Sequence, residues 1–162
     1  MNIDLDVQYA VDDDGEPPSP ALLRGWVTAA LLGRRDAAEL SLRIVGRDEI
    51  QQLNRDYRHQ DKPTNVLSFP FEPPPGMEDL ALLGDVVICA AVVAEEARAQ
   101  GKPEQAHWAH MVVHGVLHLL GYDHLDEHEA EVMEALEIEI LQGLGIANPY
   151  EADEAQAMAE SR

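Results

Sequence analysis

Residues 114–124, HGVLHLLGYDH, constrain this chain more than any other stretch. The run is apolar enough for a buried helix, yet it carries three histidines. An imidazole in an apolar core is costly unless it finds a partner. On a helix, residues four apart share a face, so His110, His114 and His118 align. Gly121 suits the left-handed position just past a helix end, where the chain turns sharply. The following Tyr122 and Asp123 then bring His124 back toward the same face. Two ligands from a helix and one from the next turn converge on a metal and leave one tetrahedral position open. That is the layout of a catalytic zinc rather than of a closed structural one. The expected ligands are His114, His118 and His124. An isolated HxxxH pair reads more readily as two ordinary hydrogen-bonding side chains; the third histidine after a helix-ending glycine favours the metal. His110 is either a hydrogen-bond donor behind the ligands or polar filling. His59, His107 and His128 are expected at the surface.

The spacing HxxxHxxGxxH matches the zincin-type pattern HExxHxxGxxH at every position but one. Gly115 stands where that pattern has the glutamate that takes a proton from water. A metal cage without that base argues against peptide hydrolysis.

Around this motif the chain reads as a small layered domain. Its 162 residues, 46% of them hydrophobic, suffice for one substantial core. Alternation of apolar and polar residues predicts a strand over 2–9, with Ile3, Leu5, Val7 and Tyr9 on one side, and another through Leu40, Leu42 and Ile44. NVLSFPF, 65–71, reads as a strand whose Pro70 cannot donate to a ladder, which places it at a sheet edge. A short strand is expected over Asp85–Ile88. Helices are predicted from Pro20, capped by Ser19, to Leu32; over DEIQQLNRDYR; from the end of that strand to Gly101; from Pro103 to Leu120; and from Asp126 to Gly143. On the last, Val132, Leu136, Ile140 and Leu144 form the expected apolar stripe. About four strands and five helices without strict alternation give an α+β fold: a small mixed sheet packed with helices, the zinc site at the end of a central helix. Residues 1–150 form the expected single domain, and the acidic tail 151–162 is expected to be frayed.

Composition narrows the function. A single cysteine, Cys89, excludes an internal disulfide and a zinc site built on several thiolates. No apolar run approaches the roughly 18–20 residues that span a bilayer, and the first residues do not resemble a secretory signal. These features together favour the cytosol. The formal net charge of −20 repels polyanions at long range. Yet Arg43, Arg47, Arg55, Arg58 and Lys62, five of only eleven basic residues, fall close together. They are either an exposed face balanced by nearby acids or one positive patch on an acidic body.

HGVLHLLGYDH resembles the signature of the YbeY family of bacterial endoribonucleases, also called rRNA maturation factors. LNRDYRHQDKPTNVLSFPF (53–71), LGDVVIC (83–89) and EAEVMEALEIEILQGLGIANPY (129–150) are similar to further blocks of that family. The resemblance covers most of the chain from Leu40 to Tyr150. It implies a small α+β protein with one zinc ion per chain, held by His114, His118 and His124. It also implies a single-strand-specific endoribonuclease acting in 16S rRNA 3′-end maturation and ribosome quality control. The expected partners are then single-stranded RNA and the ribosome or its proteins, with no DNA and no membrane. The family's functionally important arginine maps to Arg58, and His114 joins it as a catalytic residue.

The residues suggest roles without closing the mechanism. Arg58 is a natural clamp for a phosphate oxygen, because guanidinium matches phosphate bidentately; its alternative role is that of a cation at a helix C-terminus. No general base is evident, and Asp123 is a candidate for orienting a ligand's second nitrogen. Phe69 and Phe71 stack bases or pack a core, and Thr64 and Asn65 bind a phosphate or cap a turn. A non-catalytic, zinc-stabilised ribosome-assembly factor is the alternative function, and an acidic body suits it.

Overall fold

The computed structural model describes residues 2–11, 17–77, 80–123 and 125–150. In chain order the elements are β1 (Asn2–Ala10), α1 (Pro20–Leu31), β2 (Ala37–Val45), α2 (Arg47–Arg58), β3 (Val66–Pro70), β4 (Leu82–Cys89), α3 (Ala90–Gln100), α4 (Glu104–Leu119) and α5 (Glu127–Gly143). The four strands form one mixed sheet in the order β1-β2-β4-β3. β1, β2 and β4 run parallel, and β3 is antiparallel at the edge. The expected α+β class and the edge position of the proline-bearing strand both hold. No helix among the described residues is long and apolar enough to cross a membrane.

Local signals explain most boundaries. Ser19 caps α1, its side chain accepting from the Leu22 amide, with proline at the first turn. Asp126 caps α5 by accepting from the Glu129 amide at 2.8 Å, while the Glu129 carboxylate reaches back to the Leu125 amide. β4 begins earlier than the expected Asp85 because Gly84 takes a φ of +134°. A side chain there would collide with the Phe69 carbonyl on β3, so only glycine lets the strand continue through this irregularity.

The sheet separates two apolar cores. Leu40, Leu42, Ile44, Val86 and Ile88 face the larger one, against α1 and α4. The alternate residues Val45, Leu67, Val87 and Cys89 face a smaller one, with Ile50 of α2. β1 keeps the expected alternation at Ile3, Leu5 and Val7, but Tyr9 is exposed and its hydroxyl donates to the Pro18 carbonyl. On α5, Leu136, Ile140 and Leu144 of the expected stripe pack against the core. Met133, Glu137, Ile140 and Leu141 are buried, and Val132 is exposed. The Glu137 carboxylate points inward, on the buried face beside Met133 and Leu141.

α4 is the central helix, buried from His107 to Leu119 on almost every side. Gly115 permits this. A Cβ on Gly115 would stand 2.6 Å from Val86 Cγ1 and 3.2 Å from Val86 Cγ2. The missing side chain lets α4 approach β4 closely, and the Gly115 carbonyl accepts a hydrogen bond from Ser68 Oγ at 3.1 Å. Overpacking of this kind typically costs about 1–3 kcal/mol. Gly115→Ala is therefore expected to lower unfolding free energy by roughly that amount in urea titrations; unchanged stability would show that α4 retreats without cost.

Candidate functional site

Where α4 ends, the backbone follows a defined pattern. Leu120 caps the helix, and Gly121 adopts a φ of +101°. The Gly121 amide donates to the His118 carbonyl at 3.0 Å and the Tyr122 amide to the Leu117 carbonyl at 3.0 Å. This is a Schellman closure, and it returns the chain toward the histidine face of the helix. Asp123 Oδ1 lies 4.0 Å from His118 Nδ1 as a result. His124, the third expected ligand, lies outside the described residues.

His114 and His118 meet as one helical turn requires. Their Nε2 atoms are 3.2 Å apart and their rings cross edge-on at 78°. Both line a cavity of about 550 Å³ whose wall also includes Arg58, Ser68, Tyr122 and Asp123. Two nitrogens bound to one tetrahedral ion at about 2.0–2.1 Å stand about 3.3 Å apart. The observed separation therefore fits co-ligands of a single ion.

A second grouping lies behind the first. His110, His114 and Glu137 offer ligand atoms within 4.8 Å of one another. Glu137 Oε1 is 2.5 Å from His114 Nδ1, Oε2 is 2.9 Å from His110 Nε2, and the Tyr150 hydroxyl donates to Oε2. The carboxylate is only 1% exposed. Burial pushes its pKa up, but hydrogen bonds and charge from His110 and His114 outweigh that and hold it at about 2. His110, which could not be assigned from sequence, thus faces Glu137 rather than the cavity.

Arg58 closes the other side. It is the last residue of α2, and the left-handed His59 (φ 57°) ends the helix. The guanidinium donates to the Ser68 carbonyl at 2.9 Å, which fixes it over the cavity. Buried Asn54 holds the turn that follows by donating to the Lys62 carbonyl at 2.9 Å. Arg43, Arg47 and Arg55 pair with Glu49, Glu95 and Asp56, so these members of the basic cluster are balanced by acids. Among the described residues, no carboxylate pairs with Arg58. A cation and two imidazoles lining one cavity suit an anion.

Of the remaining candidates, Asn65 also lines the cavity, with its side chain already bonded. Asn65 accepts from the Val66 amide and donates to Glu96, so it secures the start of β3. Phe69 packs edge-on against Tyr57 at 5.2 Å on the α2 side of the sheet, and Phe71 is exposed. His59 and His128 are at the surface as expected. His107 is not. It is 4% exposed, on a part of α4 enclosed by its neighbours, and its Nε2 lies 2.9 Å from Glu96 Oε1. Glu137 was missed by sequence reasoning. The available signal was its place between Met133 and Leu141 on the buried stripe of α5.

Comparison with known proteins adds to this geometry. The family model described as Endoribonuclease YbeY matches residues 21–145. A protein named Endoribonuclease YbeY from Alkalilimnicola ehrlichii is 59% identical over 155 residues, covering 94% of this chain and 93% of that protein. The solution structure of TM1509 from Thermotoga maritima is similar with a TM-score of 0.55 and 27% identity, over 85% of this chain and 91% of that one.

The buried His107 yields a pH prediction. Burial lowers its pKa from 6.5; Glu96 raises it in part, and positive charge on His110 and Lys102 lowers it further. Because the folded value lies below the unfolded one, the stability tied to the neutral ring is present above about pH 6.5 and is lost as pH falls through the folded value. In metal-free protein, His107→Gln should therefore lose less stability than the wild type between about pH 7.5 and about pH 5.5. Equal losses in thermal melts would remove His107 as the source.

Proposed function

Because this chain belongs to the Endoribonuclease YbeY family, we propose that it is a zinc-dependent endoribonuclease of single-stranded RNA, acting in 16S rRNA 3′-end maturation and ribosome quality control. The observation that carries the metal assignment is the 3.2 Å separation of the His114 and His118 Nε2 atoms on a cavity wall. The 2.5 Å contact between His114 and Glu137 is too short for two ligands of one ion and has the length of a charge-assisted hydrogen bond. The residues that would hold the ion are His114, His118 and, by its place in the motif, His124. A zinc ion there would act as a Lewis acid on a phosphoryl oxygen and acidify water.

The chain's own groups do the rest. Arg58, aimed by the Ser68 carbonyl, binds a non-bridging phosphate oxygen and offsets charge that grows on it during cleavage. His114 is held by its Nδ1 and presents Nε2 to the cavity. Gly115 supplies no carboxylate base, and a side chain there would begin against Val86, so nothing in this arrangement favours peptide hydrolysis. The working unit is one domain over residues 1–150 with the acidic tail beyond it, a cytoplasmic protein whose partners are rRNA and the ribosome or its proteins. DNA is not an expected substrate.

The net charge of −20 favours a second reading, a non-catalytic assembly factor stabilised by its metal. Metal analysis and RNA cleavage by protein purified without a histidine tag separate the two. His114→Ala should lose both zinc and cleavage. Arg58→Glu should keep zinc and cleave about 10²-fold more slowly, the loss typical of one charge-stabilising group. Cleavage that survives loss of zinc, or is indifferent to Arg58→Glu, would sink the assignment. A zinc-loaded wild type that leaves RNA intact would support the second reading.

A further inference from the structure

Behind the cavity, the Glu137 carboxylate gathers three donors, two from one helix and one from the C-terminal segment. His110 and His114 come from α4, and Tyr150 follows α5. The segment carrying Tyr150 is itself tied down. Lys102 Nζ donates to the Pro149 carbonyl at 2.6 Å, the Tyr150 amide donates to Asn148 Oδ1 at 2.8 Å, and the Tyr150 ring meets His110 edge-on at 5.5 Å. Neither Glu137 nor Tyr150 lines the cavity of about 550 Å³.

The proton positions follow from which atoms can donate. An ionised carboxylate only accepts, so His114 Nδ1, His110 Nε2 and the Tyr150 hydroxyl each bring a proton to it. His110 Nδ1 has no partner among the described residues, as expected for a bare ring nitrogen whose proton sits on Nε2. His114, with its proton on Nδ1, presents the lone pair of Nε2 toward His118 Nε2 at 3.2 Å. A metal needs that lone pair, and a ring free to choose its tautomer would offer it only part of the time.

We infer that Glu137 is a positioning residue that locks His114 in the Nδ1–H tautomer and that Tyr150 aims Glu137, so that the C-terminal segment sets metal affinity from behind the site. This rests on the metal reading proposed above, with Glu137 outside the coordination sphere. The short separations support that placement: 2.5 Å and 2.9 Å are distances across a shared proton, whereas two donors on one tetrahedral ion stand about 3.3 Å apart.

The test uses the full chain, stripped of metal, in four forms besides the wild type: Glu137→Gln, Tyr150→Phe, His114→Ala and His118→Ala. Zinc affinity is read by competition with a chromophoric chelator. The His114 tautomer is read from ring ¹⁵N shifts of the metal-free protein at alkaline pH. Glu137→Gln should weaken zinc binding by about 10–100-fold, as loss of a carboxylate behind a ligating histidine does elsewhere. Tyr150→Phe should weaken it in the same direction by a smaller factor. The wild type should carry the His114 proton on Nδ1, and Glu137→Gln should shift part of it to Nε2. A purely structural role for Glu137 would leave the tautomer unmoved. Wild-type affinity in Glu137→Gln, or a wild-type His114 protonated on Nε2, would overturn the inference. So would a loss in Glu137→Gln as complete as that in His114→Ala, since Glu137 would then be a ligand. Should Glu137→Gln fail to fold, unchanged affinity and tautomer in Tyr150→Phe would overturn it instead. If His114→Ala and His118→Ala keep wild-type affinity, the metal reading itself fails, and that result is separate from any result at Glu137.

Discussion

A negative charge buried between two helices organises this protein around its site. Taking a carboxylate out of water costs several kcal/mol even after relaxation, and Glu137 is almost wholly enclosed. That cost is offset only while His110, His114 and Tyr150 all point at it. The requirement fixes the rotation of α5 against α4, the ring plane of His114 and the path of the segment after α5. A hydrophobic residue at 137 could pack the same helices, but it would leave the imidazoles of α4 without their shared partner.

The opposite wall of the cavity depends on close approach rather than charge. Gly115 brings α4 against Val86, and Ser68 on the edge strand then reaches the Gly115 carbonyl with its hydroxyl. The backbone carbonyl of the same serine receives Arg58. One residue of β3 thus connects the histidine-bearing helix α4 to Arg58. Edge position matters here. An inner strand would spend both sides of its backbone on ladder hydrogen bonds, whereas β3 pairs on one side only, with β4.

Sequence reading reached the layout because the strongest signals were local. The i, i+4 histidines, the glycine just past the helix end, the Ser19 cap and the Pro70 edge signal each depend on a few neighbouring residues. It failed where a charged or polar residue was buried by something distant. His107 was expected at the surface, Glu137 was not singled out, and Val132 was counted on the α5 stripe although it is exposed. Polar residues default to the surface in such reasoning, and only a partner elsewhere in the chain reverses that default.

The sequence by itself determined the family, the α+β class, the aligned imidazoles of α4 and the reversal at Gly121, because helical periodicity and backbone sterics are properties of short segments. Tertiary structure alone decided that Glu137 stands behind His114, that Tyr150 stands behind Glu137, and that Ser68 holds Arg58 over the same cavity. Those pairings join residues ten to twenty-three positions apart. No local propensity encodes them; they exist because burying a polar group is tolerable only where the fold delivers its partner.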